Sequence, residues 1–295
     1  MRSLNCDDSA CYCESCADSH HEYCEECNGT GNAETLADHA NQLRNNGASA
    51  ILDYHPDIEL EPIQHYIDDS SRMIGIELEI EHKRLSNMSD TCRYLGKELS
   101  GKVILTHDGS LSITGYEIVT VPMTYHAYKH VEWHKILPEL SKLGAISHDS
   151  ENCGLHIHLS NEWFYYNNDQ KVIDVTKRYQ ILFCKLQGLL IRFSRRNDDQ
   201  ISRYCAFNIG SSSRYSAVNL TNSNTVEIRL WRGTLKPDSF NACIDMTFAI
   251  LDFTYAHSCA HLWHYTQVNR VFKTWLKTSR YHKLVKYLID MGVTI

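Results

Sequence analysis

The chain has 295 residues, of which 43% are hydrophobic, 10% aromatic and 22% charged. That is enough apolar material for one large domain or two ordinary ones, and it excludes a disordered or collagen-like chain. The net charge of −7 averages two unlike parts: residues 1–70 hold fifteen acids against Arg2 and Arg44, whereas residues 71–295 hold 21 acids against 27 bases.

The acidic part is also rich in cysteine. Six of the twelve cysteines, Cys6, Cys11, Cys13, Cys16, Cys24 and Cys27, fall in the first 27 residues. Met1–Ala10 lacks the apolar core of a secretory signal, and the most apolar stretch, Met246–Ala256, is interrupted by Asp252. A cytoplasmic protein with reduced thiols and no membrane partner is expected. In that setting Cys13-x-x-Cys16 and Cys24-x-x-Cys27 read as a structural zinc site, each pair clasping the metal from one turn. Cys6, Cys11, His20 and His21 are alternative ligands within reach, and unliganded thiols or a redox CxxC are the competing readings. Residues 24–31 (CEECNGTG) resemble one zinc repeat of the DnaJ-type chaperones. Residues 1–31 carry seven acids and one arginine. Phosphate binding draws on Lys and Arg, so nucleic acid is not an expected partner.

Residues 32–70 read as an acidic linker with a short helix, over 33–45, and a loop containing Pro56 and Pro62. The main domain is expected from Ser71 to the end. Within it, Met73–Glu81 alternates strictly: Ile74, Ile76, Leu78 and Ile80 oppose Gly75, Glu77, Glu79 and Glu81. Gly115–Val121 follows an Asp108-Gly109 turn and puts Glu117 on one face with Val119. In Asn152–Ser160, Leu155, Ile157 and Leu159 oppose Gly154, His156, His158 and Ser160. In Thr225–Trp231, Val226, Ile228 and Leu230 oppose Glu227, Arg229 and Trp231. An antiparallel sheet can simply turn such a face to water. Glu, His and Arg are however the residues that hold metals and phosphates, and three glutamates along one strand face repel unless a cation offsets them.

Helices are expected over 124–143 (broken at Pro138), 172–194, 239–264 and 270–291, covering the apolar sheet face. His126, His130 and His134 recur every four residues, as a solvated stripe or a chelating one. The fold class that results is α+β: a curved, mostly antiparallel sheet with helices on one face and an open catalytic face.

Four pieces in series resemble a family. GIELEIE (75–81), HDGSL (107–111) with GYEIVTVP (115–122), CGLHIHLS (153–160), and YSAVNL (215–220) with TVEIRLWRGTL (225–235) are similar to the amidoligases with a glutamine-synthetase-like fold. The resemblance spans about Met73 to Leu235. It implies ATP-dependent joining of a carboxylate to an amine through an acyl phosphate. Glu77 and Glu79 would hold Mg²⁺ or Mn²⁺, with Glu117, Glu227 and then Glu81 as further ligands and His156 approaching a metal. His158 and Ser160 would meet the nucleotide. Arg229 and Arg232 would clamp phosphate, completing a catalytic set with Glu77, Glu79 and Glu227, and Arg214 is a further nucleotide-binding candidate. Asp108 is a metal ligand or only a turn residue. The expected partners are a carboxylate and an amine, small or on a peptide or protein, and an oligomer is compatible. The alternatives are a nucleotide-binding zinc adaptor without turnover, or a metal-dependent hydrolase or phosphotransferase on the same fold.

Overall fold

The computed structural model describes residues 35–295 except 55, 57, 59, 169–170, 211–212 and 258–266. Cys13, Cys16, Cys24 and Cys27 lie outside the described residues. The first helix, α1 (Leu36–Asn46), starts at Thr35, whose side chain accepts from the Asp38 N–H in a capping box. It packs on α2 (Leu85–Glu98), where Leu43 lies so close to Gly96 that a Cβ there would sit 2.7 Å from it.

The core of the fold is an eight-stranded sheet in the order β2 (Val103–Thr106), β3 (Gly115–Thr120), β1 (Met73–His82), β6 (Gly154–Ser160), β10 (Thr225–Arg232), β9 (Val218–Asn219). The short strands β4 (Met123–Thr124) and β5 (Ala145–Ile146) pair with β1. Every one of these pairings is antiparallel. A separate hairpin joins β7 (Tyr165–Asn168) and β8 (Lys171–Asp174). The chain is thus a mixed α+β protein built on an open antiparallel sheet.

One sheet face is apolar, as the alternation predicts. Ile74, Ile76, Leu78, Ile80, Leu155, Ile157, Leu159, Val226 and Ile228 are all buried, each contributing roughly 1.5–3 kcal/mol of transfer free energy. Helices cover that face: α5 (Thr176–Lys185), α6 (Gln187–Ser194) and α8 (Pro237–Ala256) pack near β10, and α2 reaches Tyr116 of β3 through a Thr91 hydroxyl 2.9 Å from the phenol. Among the described residues no helix is long and apolar enough to cross a membrane.

The strand phase breaks once. Ile228 opposes Ile157 but Trp231 opposes Leu155, so β10 carries one extra residue in a bulge. This corrects the expected placement of Trp231 beside Glu227 and Arg229. The bulge turns its indole into the apolar layer, where it packs on Phe193 and donates to Thr247 Oγ1 of α8 at 3.0 Å.

Several helix boundaries also differ from expectation. The 124–143 segment divides at residues 130–132 into α3 (Tyr125–Lys129) and α4 (Trp133–Lys142), where Val131 and Trp133 both turn into the core. Pro138 stays inside α4 and forfeits a single backbone hydrogen bond. The division takes His134 out of the histidine stripe, while His126 and His130 stay one turn apart and both lie against His65, with ring centroids 5.6 and 5.4 Å away. Residues 171–174 form a hairpin strand instead of a helix start, α5 and α6 are separated at Leu186, and α7 (Asp198–Tyr204) follows. The last helix is two, α9 (Val268–Thr278) and α10 (His282–Asp290).

The stretch read as linker is pinned at both ends. Leu52 hydrogen-bonds Leu105 and His107 beside β2, and Ile63 hydrogen-bonds Pro122 and Thr124. Between these anchors the chain crosses the polar sheet face, and Tyr54, Pro56, Ile58 and Leu60 form part of a cleft wall.

Candidate functional site

Strand register assembles the site. Glu77 of β1 pairs with His156 of β6, Glu79 with Glu117 of β3, and His158 of β6 with Glu227 of β10. Side chains opposite one another on one sheet face stand about 5 Å apart, so four strands bring their polar residues into one patch. Glu77 is its centre. His156 Nδ1 lies 3.0 Å from Glu77 Oε2, and His158 Nε2 lies 3.1 Å from Glu77 Oε1. Glu227 Oε1 is 3.7 Å from His156 Nδ1 and also meets the Arg229 guanidinium.

Two groupings have metal-ligand geometry: Glu77, Glu117 and His156, and Glu77, His158 and Glu227, each with one ligand atom per residue within 4.8 Å of the others. Oxygen with imidazole nitrogen is a donor set suited to Mn²⁺ at least as well as Mg²⁺. The electrostatics fit a cation. Burial, then the charges of Glu77, Glu79 and Asp108, push the Glu117 carboxyl up to about 9. Burial also raises Glu79. Burial opposes ionisation of Glu77 as well, but the charge of His158 and hydrogen bonds from His156 and His158 hold it well below the usual carboxylate range. The carboxylates thus repel one another wherever an imidazole does not intervene, and a divalent ion would relieve that repulsion.

The cleft over this patch has three contiguous compartments. The central one, about 460 Å³, is lined by Glu77, Glu117, His156, His158, Glu227, Arg229 and Arg214. On one side lies a more apolar compartment of about 440 Å³, walled by Leu60, Met73, Ile76, Val119 and Pro122 and edged by Ser160, Asn161 and Asn224. On the other lies a compartment of about 450 Å³ with Arg196, Arg214, Arg229, Asn152, Glu79, Asp108 and the tyrosines 54, 204 and 215.

The expected site residues therefore divide. Glu77, Glu117, His156, His158, Glu227 and Arg229 converge. Glu79 lies just outside both ligand groupings, accepting from the Gly154 N–H, with His156 Nε2 3.7 Å away. Glu81 is occupied by loops: its oxygens accept from the Ser112 N–H at 2.8 Å and the Ser150 hydroxyl at 2.6 Å. Ser160 stands on the apolar compartment while tying β1 down, donating to Ser71 O and accepting from the Met73 N–H. Arg214 forms the far wall, 3.3 Å from the Tyr54 hydroxyl. Asp108 is both turn residue and cleft wall, accepting from the Ser110 N–H at 2.6 Å. Arg232 is the exception: its guanidinium reaches the carbonyls of Arg195 and Ser150 and lines none of the three compartments, because the bulge shifts it along the strand.

Three participants carried no role in the sequence reading. Asn219, within YSAVNL, donates to Glu227 Oε2 at 2.6 Å. Arg196 lines the third compartment from the segment after α6. Tyr54 enters from the pinned stretch.

No family model matches the chain, and no curated protein matches it. Solved structures similar to it include a GmaS/ADP complex, with a TM-score of 0.41 and 11% identity over 62% of this chain and 55% of that one. GmaS without ligand is similar with a TM-score of 0.39 and 11% identity, over 74% of this chain and 58% of that one. The chain spans little more than half the length of the GmaS chains it matches.

Proposed function

We propose that the chain is an ATP-dependent ligase that joins a carboxylate to an amine. The observation that carries this reading is the convergence of Glu77, Glu117, His156, His158 and Glu227 with Arg229 on one open sheet face, between an apolar compartment and a cationic one. The family resemblance of the same segments supports it. A divalent cation held by Glu77, Glu117, Glu227 and the two histidines would neutralise phosphate charge and bring the reacting oxygens together.

The chain's own groups then have distinct tasks. The apolar compartment, with polar groups at its edge, suits a nucleobase, whose phosphates would then extend over the carboxylate patch. Arg229, held by Glu227, and Arg214 face charge that develops on the transferred phosphoryl group. The γ-phosphoryl group passes to a substrate carboxylate oxygen, releasing ADP. The amine nitrogen then bonds to the acyl carbon, the acyl–oxygen bond breaks to release inorganic phosphate, and the nitrogen gives up one proton. Tyr54, Pro56, Ile58 and Leu60 over the patch limit water, which would otherwise hydrolyse the acyl phosphate.

ADP release measured across carboxylate–amine pairs with Mn²⁺ or Mg²⁺ tests the proposal. Release stimulated by both organic substrates together is expected, and Glu77→Ala abolishes it in a protein that remains folded. ADP release equal in wild type and Glu77→Ala would reject the assignment.

A further inference from the structure

A polar pocket among the helices serves none of these tasks. It holds about 240 Å³ where α3, the start of α4, α8 and α10 meet, and its lining includes Tyr128, Lys129, Trp133, His134, Asn241 and Lys283. None of these residues lines the cleft over the sheet. Two buried donors of the lining are unpartnered. Tyr128 is 2% exposed and Trp133 3%, and among the described residues neither the Tyr128 hydroxyl nor the Trp133 indole nitrogen has a hydrogen-bond partner. A polar group left buried and unpaired costs about 1–3 kcal/mol. The indole nitrogen can only donate. Burial, and then the charge of Asp245, hold the Tyr128 phenol well above its usual range, so it too keeps a proton to donate.

The charge around these donors is mostly positive. Lys129 Nζ lies over the Tyr128 ring, 5.7 Å from its centroid, and 3.7 Å from Asp245 Oδ1. Asp245 also interacts with the charge of Lys283, so one carboxylate serves two lysines of the pocket. Arg280 acts on Asp245 as well but is paired with Asp252, 3.1 Å away. The end of α4 adds to this potential. Trp133 and His134 open that helix, and its cap residue Glu132 makes no side-chain capping bond, its carboxylate being taken up by Lys135. The positive end of the helix dipole is therefore beside the pocket.

Hydroxyl, indole and two ammonium groups thus come from three helices towards one small space. A carboxylate has two oxygens in one plane to meet them. A phosphate group offers more oxygens, arranged tetrahedrally, and up to two charges, and lysine serves it as a point charge. We infer that this pocket binds a phosphate group, with the Tyr128 hydroxyl and the Trp133 indole N–H donating to it and Lys129 and Lys283 balancing its charge. The site is separate from the cleft, and the inference does not rest on the ligase reading. The pocket has room for a small organic group beyond the phosphate, so its two sources are inorganic phosphate and a small phosphomonoester.

The indole N–H resonance of Trp133 in the full chain, assigned as the one lost in Trp133→Phe, reports on this pocket and not on the cleft. Inorganic phosphate, glycerol 3-phosphate and acetate are titrated separately, without metal or nucleotide. A saturable shift is expected with at least one of the two phosphates, at lower concentration than with acetate, and the tighter of the two identifies the source. Lys283→Glu, at an exposed position, should weaken binding by roughly tenfold or more by reversing a charge beside the anion. Tyr128→Phe removes one hydroxyl and should weaken it by about tenfold, without lowering the unfolding midpoint measured in the absence of phosphate. A resonance that neither phosphate moves, acetate binding as tightly as the better phosphate, or wild-type affinity in either variant would overturn the inference.

Discussion

Replacing Asn219 by alanine should weaken the metal site without touching a metal ligand. Asn219 is 2% exposed, and its Oδ1 is fixed by the Thr221 N–H at 2.9 Å and the Thr221 hydroxyl at 2.8 Å. Its Nδ2 is thereby aimed at Glu227 Oε2, 2.6 Å away, leaving Oε1 toward Arg229 and the patch. A hydrogen bond to a charged group contributes about 1.5–3 kcal/mol, or roughly one to two powers of ten in an equilibrium constant. Outer partners of metal ligands show losses of the same size, about 10–100-fold. Asn222 Nδ2 lies 3.3 Å from the same oxygen and offers a partial substitute, which places Asn219→Ala toward the lower end. Mn²⁺ binding followed by electron paramagnetic resonance should show about a tenfold rise in dissociation constant, and Asn222→Ala a smaller one. Wild-type Mn²⁺ affinity in Asn219→Ala, whatever happens to its unfolding midpoint, would refute the role given to Glu227.

Other consequences are independent of turnover. His39 is buried and accepts from the Leu105 N–H, and burial lowers its pKa from the ordinary 6.5 to about 4. The folded state thus resists protonation that the unfolded chain accepts: the stabilisation is complete above about pH 6.5 and disappears as pH falls towards 4. Linkage puts the loss near 1.4 kcal/mol at pH 5.5. Urea unfolding at pH 7.5 and 5.5 should show this loss in wild type and not in His39→Gln; equal pH dependence in the two would contradict it. Gly154→Ala should cost about 1–3 kcal/mol by overpacking, and reduce metal binding, because its methyl group meets His156 and Arg196; a fully stable variant with unaltered metal binding would count against this packing. Elemental analysis of the full chain after Mg²⁺ and Mn²⁺ have been chelated should find about one zinc, lost on replacing Cys13 and Cys24 together. Zinc-free wild-type protein would reject that ligand set.

Alternation made much of the sheet legible. Ile74 to Ile80 and Leu155 to Leu159 each place a chemical face opposite a core face, and the polar residues on those faces meet in space because antiparallel register aligns them. Register itself is a tertiary property, so which glutamate would face which histidine was not available from spacing. Nor was the β10 bulge, which turns Trp231 inward and takes Arg232 away from the cleft; its cause is the fit of an indole between Phe193 and Thr247, contacts distant in sequence. Arg196 was hidden for a similar reason. Its place in the cleft wall comes from a cavity and from backbone carbonyls of β10, whereas its local sequence describes only a helix end. The stretch around Tyr54 has linker composition, yet hydrogen bonds at Leu52 and Ile63 stretch it across the site.

The central claim is that the carboxylate–imidazole patch couples ATP cleavage to amide formation. Its most direct test is product stoichiometry by mass spectrometry with Mn²⁺, ATP, a carboxylate and an amine. The account predicts one amide and one inorganic phosphate for each ADP formed, all three lost together in Glu77→Ala. ADP formed at an undiminished rate without the amine, and with no amide product from any pair, would contradict it.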